Sequence, residues 1–133
     1  MTRIHNYLPG HCLFLDFDRL TPQERRRLPQ ATLWFKPRYF LVVRTHGDRV
    51  LIAPLSSCDW GGRNLQLFRG ERSGGWAFRG QSCYVAPETL WLSVELVRRC
   101  RSRDWSRDVE TNRVLPEVLS RICSWLPFDE TAA

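Results

Sequence analysis

Residues 36–57 limit the fold of this chain more than any other stretch. Two apolar runs flank a His46-Gly47-Asp48 turn. In the first run Tyr39, Leu41 and Val43 fall on one side, and Phe40 and Val42 on the other. In the second, Val50 and Ile52 alternate with Leu51 and Ala53. Period two predicts strands over 38–45 and 49–54. Apolar residues on both sides predict a hairpin covered on both faces, in the middle of a sheet and not at its edge. Arg38 stands at the mouth of the first run, and Pro54-Leu55-Ser56-Ser57 closes the second. One edge of the hairpin thus gathers a permanent positive charge and two hydroxyls, groups suited to phosphate.

The rest of the chain supplies short elements around this hairpin. A first strand is predicted over 11–18, where Leu13, Leu15 and Phe17 alternate with Phe14, Asp16 and Asp18. A long loop over 19–36 follows, with one helical turn expected after Thr21, which suits a cap, and Pro22, which suits a first helical position. Residues 64–68, 82–85 and 90–97 read as further strands, the last also matching helical spacing at Leu90, Val94 and Val97. Leu115, Leu119, Ile122 and Leu126 share one helical face, so a closing helix is predicted within 114–127. Short strands, glycine-rich turns and a final helix predict one mainly β domain over 1–133, a small β-barrel with a C-terminal helix packed on it.

Composition narrows the partners. Apolar residues make up 43% and charged residues 26%, which excludes a disordered chain. No run reaches the roughly 20 apolar residues of a membrane span. The first residues lack the apolar stretch of a secretory leader, and the expected location is cytoplasmic. The net charge is +6, and Lys36 is the only lysine. An arginine-dominated basic surface points to an anionic partner, nucleic acid or an acidic peptide. Five cysteines, none in a Cys-x-x-Cys pair, read as reduced and largely buried thiols. No metal site and no cofactor are expected, since zinc-ligand spacing is missing.

The order of motifs resembles the MazF/PemK family of toxin endoribonucleases. Four features carry the likeness: Gly10 before a strand ending Asp16-Phe17-Asp18, the Lys36-Pro37-Arg38 entry to the second strand, the Pro54-Leu55-Ser56-Ser57 exit from the third, and the closing helix. Tyr39 stands where the family has proline, and serines stand where it has threonine. The resemblance implies an SH3-like barrel of the type shared with CcdB and Kid, with a mobile first loop. It implies a homodimer that cleaves single-stranded RNA without metal. It also implies a cognate antitoxin whose acidic tail covers the RNA groove.

Metal-free cleavage of RNA uses the 2′-OH as nucleophile and leaves a 2′,3′-cyclic phosphate. Arg38 is the expected stabiliser of phosphoryl charge, because its high pKa makes it a poor general acid. Ser56 is the expected hydroxyl partner, by correspondence with the family's threonine. Glu24, in the first loop, is the expected proton acceptor, and His11 is a second option. Arg25, Arg26, Arg27, Ser57, Trp60, Arg63 and Arg79 are candidate RNA contacts, the aromatics by stacking on bases. Trp76, Phe78 and Arg72 belong to the same aromatic and basic stretch. The plain structural alternatives are an Arg38 ion pair with Asp16 or Asp18, a turn-capping role for Ser56 and Ser57, and a solvated Glu24. A barrel of the same ancestry that binds protein or nucleic acid without turnover, such as an inhibitor from a mobile element, is the rival function.

Overall fold

The computed structural model describes residues 7–29, 34, 36–73, 83–101 and 112–127. Its elements are β1 (Cys12–Leu15), a 3₁₀ turn (Phe17–Arg19), α1 (Pro22–Arg25), β2 (Arg38–His46), β3 (Arg49–Ser56) and β4 (Leu65–Leu67). A second 3₁₀ turn (Arg69–Glu71), β5 (Arg72–Ser73), β6 (Cys83–Val85), β7 (Leu90–Ser93), α2 (Val94–Cys100), β8 (Arg113–Val114) and α3 (Pro116–Trp125) complete the order.

The central hairpin forms as its alternation predicts. Gly47, with φ +59°, starts a two-residue loop between the paired His46 and Arg49. Glycine suits that position because a side chain is strained at positive φ. β2 and β3 pair antiparallel, with Val43 inserted as a bulge between the Val42–Ile52 and Arg44–Leu51 pairs. β1 adds to the other edge of β2. The outer edge of β3 is divided: Arg49 to Ile52 pair with β7, and Leu55 and Ser56 pair with β6. β4 then pairs with β6. Pro54 sits where the partner changes, and it has no N–H to offer a ladder. Its carbonyl accepts from Ala86 N at 3.0 Å, just beyond β6.

Both faces of this sheet are buried. One carries Leu13, Leu15, Phe40, Val42, Val50, Ile52 and Leu92, covered by Phe17, Leu20, Leu28, Trp34 and by Val94, Val97 and Cys100 of α2. The other carries Cys12, Tyr39, Leu41, Val43, Leu51, Ala53 and Leu55, covered by Leu67, Cys83, Val85 and by Val118, Ile122 and Leu126 from α3 and its end. α3 starts with Pro116 in its first turn and is pinned by Arg121, whose guanidinium grips Glu71 at 2.6 and 3.0 Å.

Three expectations change. The first strand ends at Leu15, because the Asp16 carboxylate accepts from Asp18 N at 3.0 Å and caps the 3₁₀ turn. The strand expected over 90–97 stops at Ser93, whose hydroxyl accepts from Leu96 N at 3.2 Å and starts α2. From there the apolar spacing becomes Val94, Val97, Cys100, which is helical. The mainly β class with a C-terminal helix stands, but the described strands do not close into a barrel. β1 and β4 are the ends of the pairing path. The far edge of β1 is met instead by single bridges, His11 to Arg113 and Leu15 to Arg101.

The described part of the 19–36 segment is tied to the sheet. Thr21 caps α1 in a reciprocal box with Glu24, and Pro22 occupies the first turn as its sequence predicts. Leu20, Leu28 and Trp34 are buried. Trp34 stacks on Phe40 with ring centroids 5.5 Å apart. Among the described residues no helix is long and apolar enough to cross a membrane.

Trp34→Ala should therefore destabilise the protein by about 3–5 kcal/mol, the usual cost of removing a buried Trp side chain. Urea unfolding followed by circular dichroism measures it. A loss below about 1 kcal/mol would show that the segment is not anchored through Trp34.

Candidate functional site

Arg38 reaches the end of β3 through its side chain. The β2–β3 ladder ends at the Phe40–Pro54 pair, and beyond it Arg38 meets Leu55, the residue before Ser56. The Arg38 guanidinium donates from Nη1 to the Leu55 carbonyl at 3.2 Å. Its Nε is buried and has no hydrogen-bond partner among the described residues. Among the same residues no carboxylate pairs with Arg38. Asp18 is taken by Arg25 at 3.3 Å, and Asp16 caps the 3₁₀ turn. The ion pair weighed for Arg38 is thus not formed. Burial pushes the Arg38 pKa down from its ordinary value. The group stays charged at any working pH, since an arginine starts above 12. A partly desolvated cation without a counter-ion gains from any anion that reaches it.

Ser56 is buried, and its oxygen is fully used as an acceptor. Cys58 N donates to Oγ at 3.1 Å, and Trp60 Nε1 donates to it at 3.3 Å. A hydroxyl oxygen has two lone pairs and one proton. With both lone pairs engaged, the remaining capacity of Ser56 is to donate. It therefore suits an incoming acceptor, such as a phosphoryl oxygen, and cannot serve as a proton acceptor. Turn capping and anion binding are compatible here, because the cap uses lone pairs and the anion would use the proton.

The loop after β3 is closed by its own polar side chains. Asp59 Oδ1 accepts from Gly61 N at 3.1 Å. Asn64 N donates to the Asp59 carbonyl at 3.0 Å, and Asn64 Nδ2 to the Cys58 carbonyl at 2.9 Å. Trp60, Gly61 and Gly62 follow one another at φ +54°, +70° and +85°. Two of the three are glycine, which takes these angles without strain; the tryptophan does not. Ser57 and Cys58 are exposed, with Ser57 Oγ 3.9 Å from Cys58 Sγ. Exposed Lys36 lies two residues ahead of Arg38.

Glu88 is a member that the sequence does not advertise. Its carboxylate accepts from Trp34 Nε1 at 3.2 Å and pairs with Arg63 at 3.5 Å. It links the first loop to the loop that carries Trp60. A lone Glu in a Pro-Glu-Thr turn has no pattern that would reveal this, since both partners are distant in sequence.

The other candidates lie elsewhere or are otherwise engaged. Glu24 caps α1 and accepts both guanidinium branches of Arg99, at 2.6 and 3.0 Å. The Arg99 guanidinium holds the Glu24 carboxyl down at about 2. So acidic a group is a weak proton acceptor at neutral pH. No contact links it to Arg38 or Ser56 among the described residues. Arg25 pairs with Asp18, while Arg26 and Arg27 are exposed beyond α1. His11 is buried, and it precedes by four residues the Leu15 that pairs with Arg38. At about 3.3 Å per strand residue that separation is roughly 13 Å, too far for a shared proton. Arg79, Trp76 and Phe78 lie outside the described residues. Cys12, Cys83 and Cys100 are buried free thiols, Cys58 is exposed, and burial pushes Cys83 up to about 12.

The Glu24–Arg99 pair has a pH signature. A carboxyl lowered from 4.5 to about 2 contributes stability that is complete above pH 4.5 and is lost as pH falls through about 2. Thermal melts across that window should show wild type losing stability more steeply than Glu24→Gln. Glu71, held low by Arg121, titrates in both proteins and cancels in the comparison. Parallel curves would show that the pair does not couple to folding.

No protein-family model, no curated protein and no solved structure matches this chain.

Proposed function

We propose that the Arg38–Ser56 edge binds the phosphodiester backbone of single-stranded RNA, in a MazF/PemK-like protein with an SH3-like arrangement of strands. The observation that carries this reading is the half-buried Arg38 guanidinium, without a carboxylate partner among the described residues, held on the carbonyl of Leu55 next to Ser56, whose hydroxyl is left only with a proton to donate. The net charge of +6 supports an anionic ligand. The open antiparallel sheet and closing helix support the architecture. A homodimer and an antitoxin with an acidic tail belong to the same proposal. Such a tail would offer Arg38 carboxylates in place of phosphate.

The reaction attached to this reading is metal-independent endonucleolytic cleavage, the activity of a toxin of a type II toxin–antitoxin pair. The 2′-oxygen attacks the adjacent phosphorus, the P–O5′ bond breaks, and a 2′,3′-cyclic phosphate and a 5′-OH result. Arg38 stabilises the charge on the phosphoryl oxygens, and the Ser56 O–H donates to one of them. The 2′-OH proton leaves to water, and the 5′-oxygen takes one from water. Without a protein group in that role, the rate lacks the about 10²–10⁴-fold that a general acid or base supplies. The engagement of Glu24 with Arg99 favours the second reading, RNA binding without turnover.

Labelled single-stranded RNA incubated with the protein in EDTA separates these outcomes. Cleavage to 2′,3′-cyclic ends that drops about 10²–10³-fold in Arg38→Ala supports the enzyme. Intact RNA, bound with an affinity that falls as salt rises by about 0.7 log unit per neutralised phosphate, supports the binder. Absence of both binding and cleavage overturns the proposal.

A further inference from the structure

We infer that Trp60 is a base-stacking platform for the nucleotide whose phosphate the Arg38–Ser56 edge holds. The inference rests on that phosphate reading and adds to it a contact with the base. Trp60 is 56% exposed, although tryptophan is normally well buried. It occupies a positive-φ backbone conformation, φ +54°, that an aromatic residue adopts only under strain. Neither feature serves the core. Strain of this kind persists where the surroundings over-determine it, and here they do. The Asp59, Gly61 and Asn64 hydrogen bonds close the loop around it, and the Arg63–Glu88 pair ties the loop to the turn before β7.

The indole has one polar atom, Nε1, and it is committed to Ser56 Oγ at 3.3 Å. What remains for solvent is the carbon surface of the ring. That surface is one hydrogen bond away from the hydroxyl that would donate to the phosphate. Phosphate and base belong to one nucleotide, so a ring fixed to the phosphate ligand is also fixed beside the base. Every base has a π face, so such a platform tolerates any sequence while raising affinity for a strand that carries bases. The same Ser56 oxygen that receives the indole N–H carries the proton left to donate, so the platform and the phosphate contact meet at one residue.

The test compares fluorescence anisotropy of a labelled oligouridylate with that of an abasic ribose-phosphate strand of the same length. Wild type should bind the oligouridylate more tightly than the abasic strand. Trp60→Ala should weaken oligouridylate binding roughly 5- to 150-fold, the equivalent of about 1–3 kcal/mol per stacked base. It should weaken abasic binding far less and leave the salt dependence unchanged, since the number of phosphate contacts stays the same. Trp60→Phe, which keeps a ring but loses the N–H, should retain most of the oligouridylate affinity. Equal binding of both strands by wild type overturns the platform and leaves the phosphate reading standing. Loss of affinity for both strands alike in Trp60→Ala also overturns it, as does a Trp60→Ala protein with unchanged oligouridylate affinity. If wild type binds neither strand, both the platform and the phosphate reading fall.

Discussion

Everything in this molecule is organised around one strand, β3, that has no free side. Its residues Val50 to Ser56 are all buried. One edge is filled by β2, and the other is shared by β7 and β6. A strand buried on two faces and two edges has to be apolar throughout, short, and interrupted only where the ladder allows it. Pro54 marks that interruption. There the outer partner changes from β7 to β6, and Leu55 and Ser56 pair with Val85 and Tyr84.

The site inherits its order from that arrangement. Arg38 is positioned by pairing with Leu15 of β1 on one side and by its side-chain hydrogen bond to the Leu55 carbonyl of β3 on the other. Ser56 is the last residue of β3, so its hydroxyl is placed by backbone geometry and not by a long flexible side chain. The energetic asymmetry of burial then decides what the pair can do. Among the described residues the half-buried Arg38 has one neutral acceptor, and the strongest further partner for such a charge is a charged acceptor.

The sequence spoke most clearly where a pattern repeats. The two-sided alternation over 39–53 determined the central hairpin, because only a strand with both faces covered can use it. Thr21-Pro22-Gln23-Glu24 carried a local cap in its own residues, and the helix turn formed there. Leu90 to Val97 was ambiguous because both periods fit it, and Ser93 resolved the matter by capping. Closure of the barrel was not legible, since pairing between sheet ends depends on where chain segments from 101 and 113 run. In the site, the hairpin made it legible that Arg38 would lie near the end of β3, where its guanidinium meets the Leu55 carbonyl. The engagement of Glu24 by Arg99 and the linking role of Glu88 join residues 75, 54 and 25 positions apart, and no local pattern encodes such separations.

Lys36 gives this surface a chemical handle. It is the only lysine, it is exposed, and a single residue, Pro37, separates it from Arg38. Reagents that acylate amines act on this side chain and on the α-amino group, and they leave every guanidinium intact. The positive charge two positions ahead of Arg38 can therefore be removed, or a reporter group installed there, without a mutation.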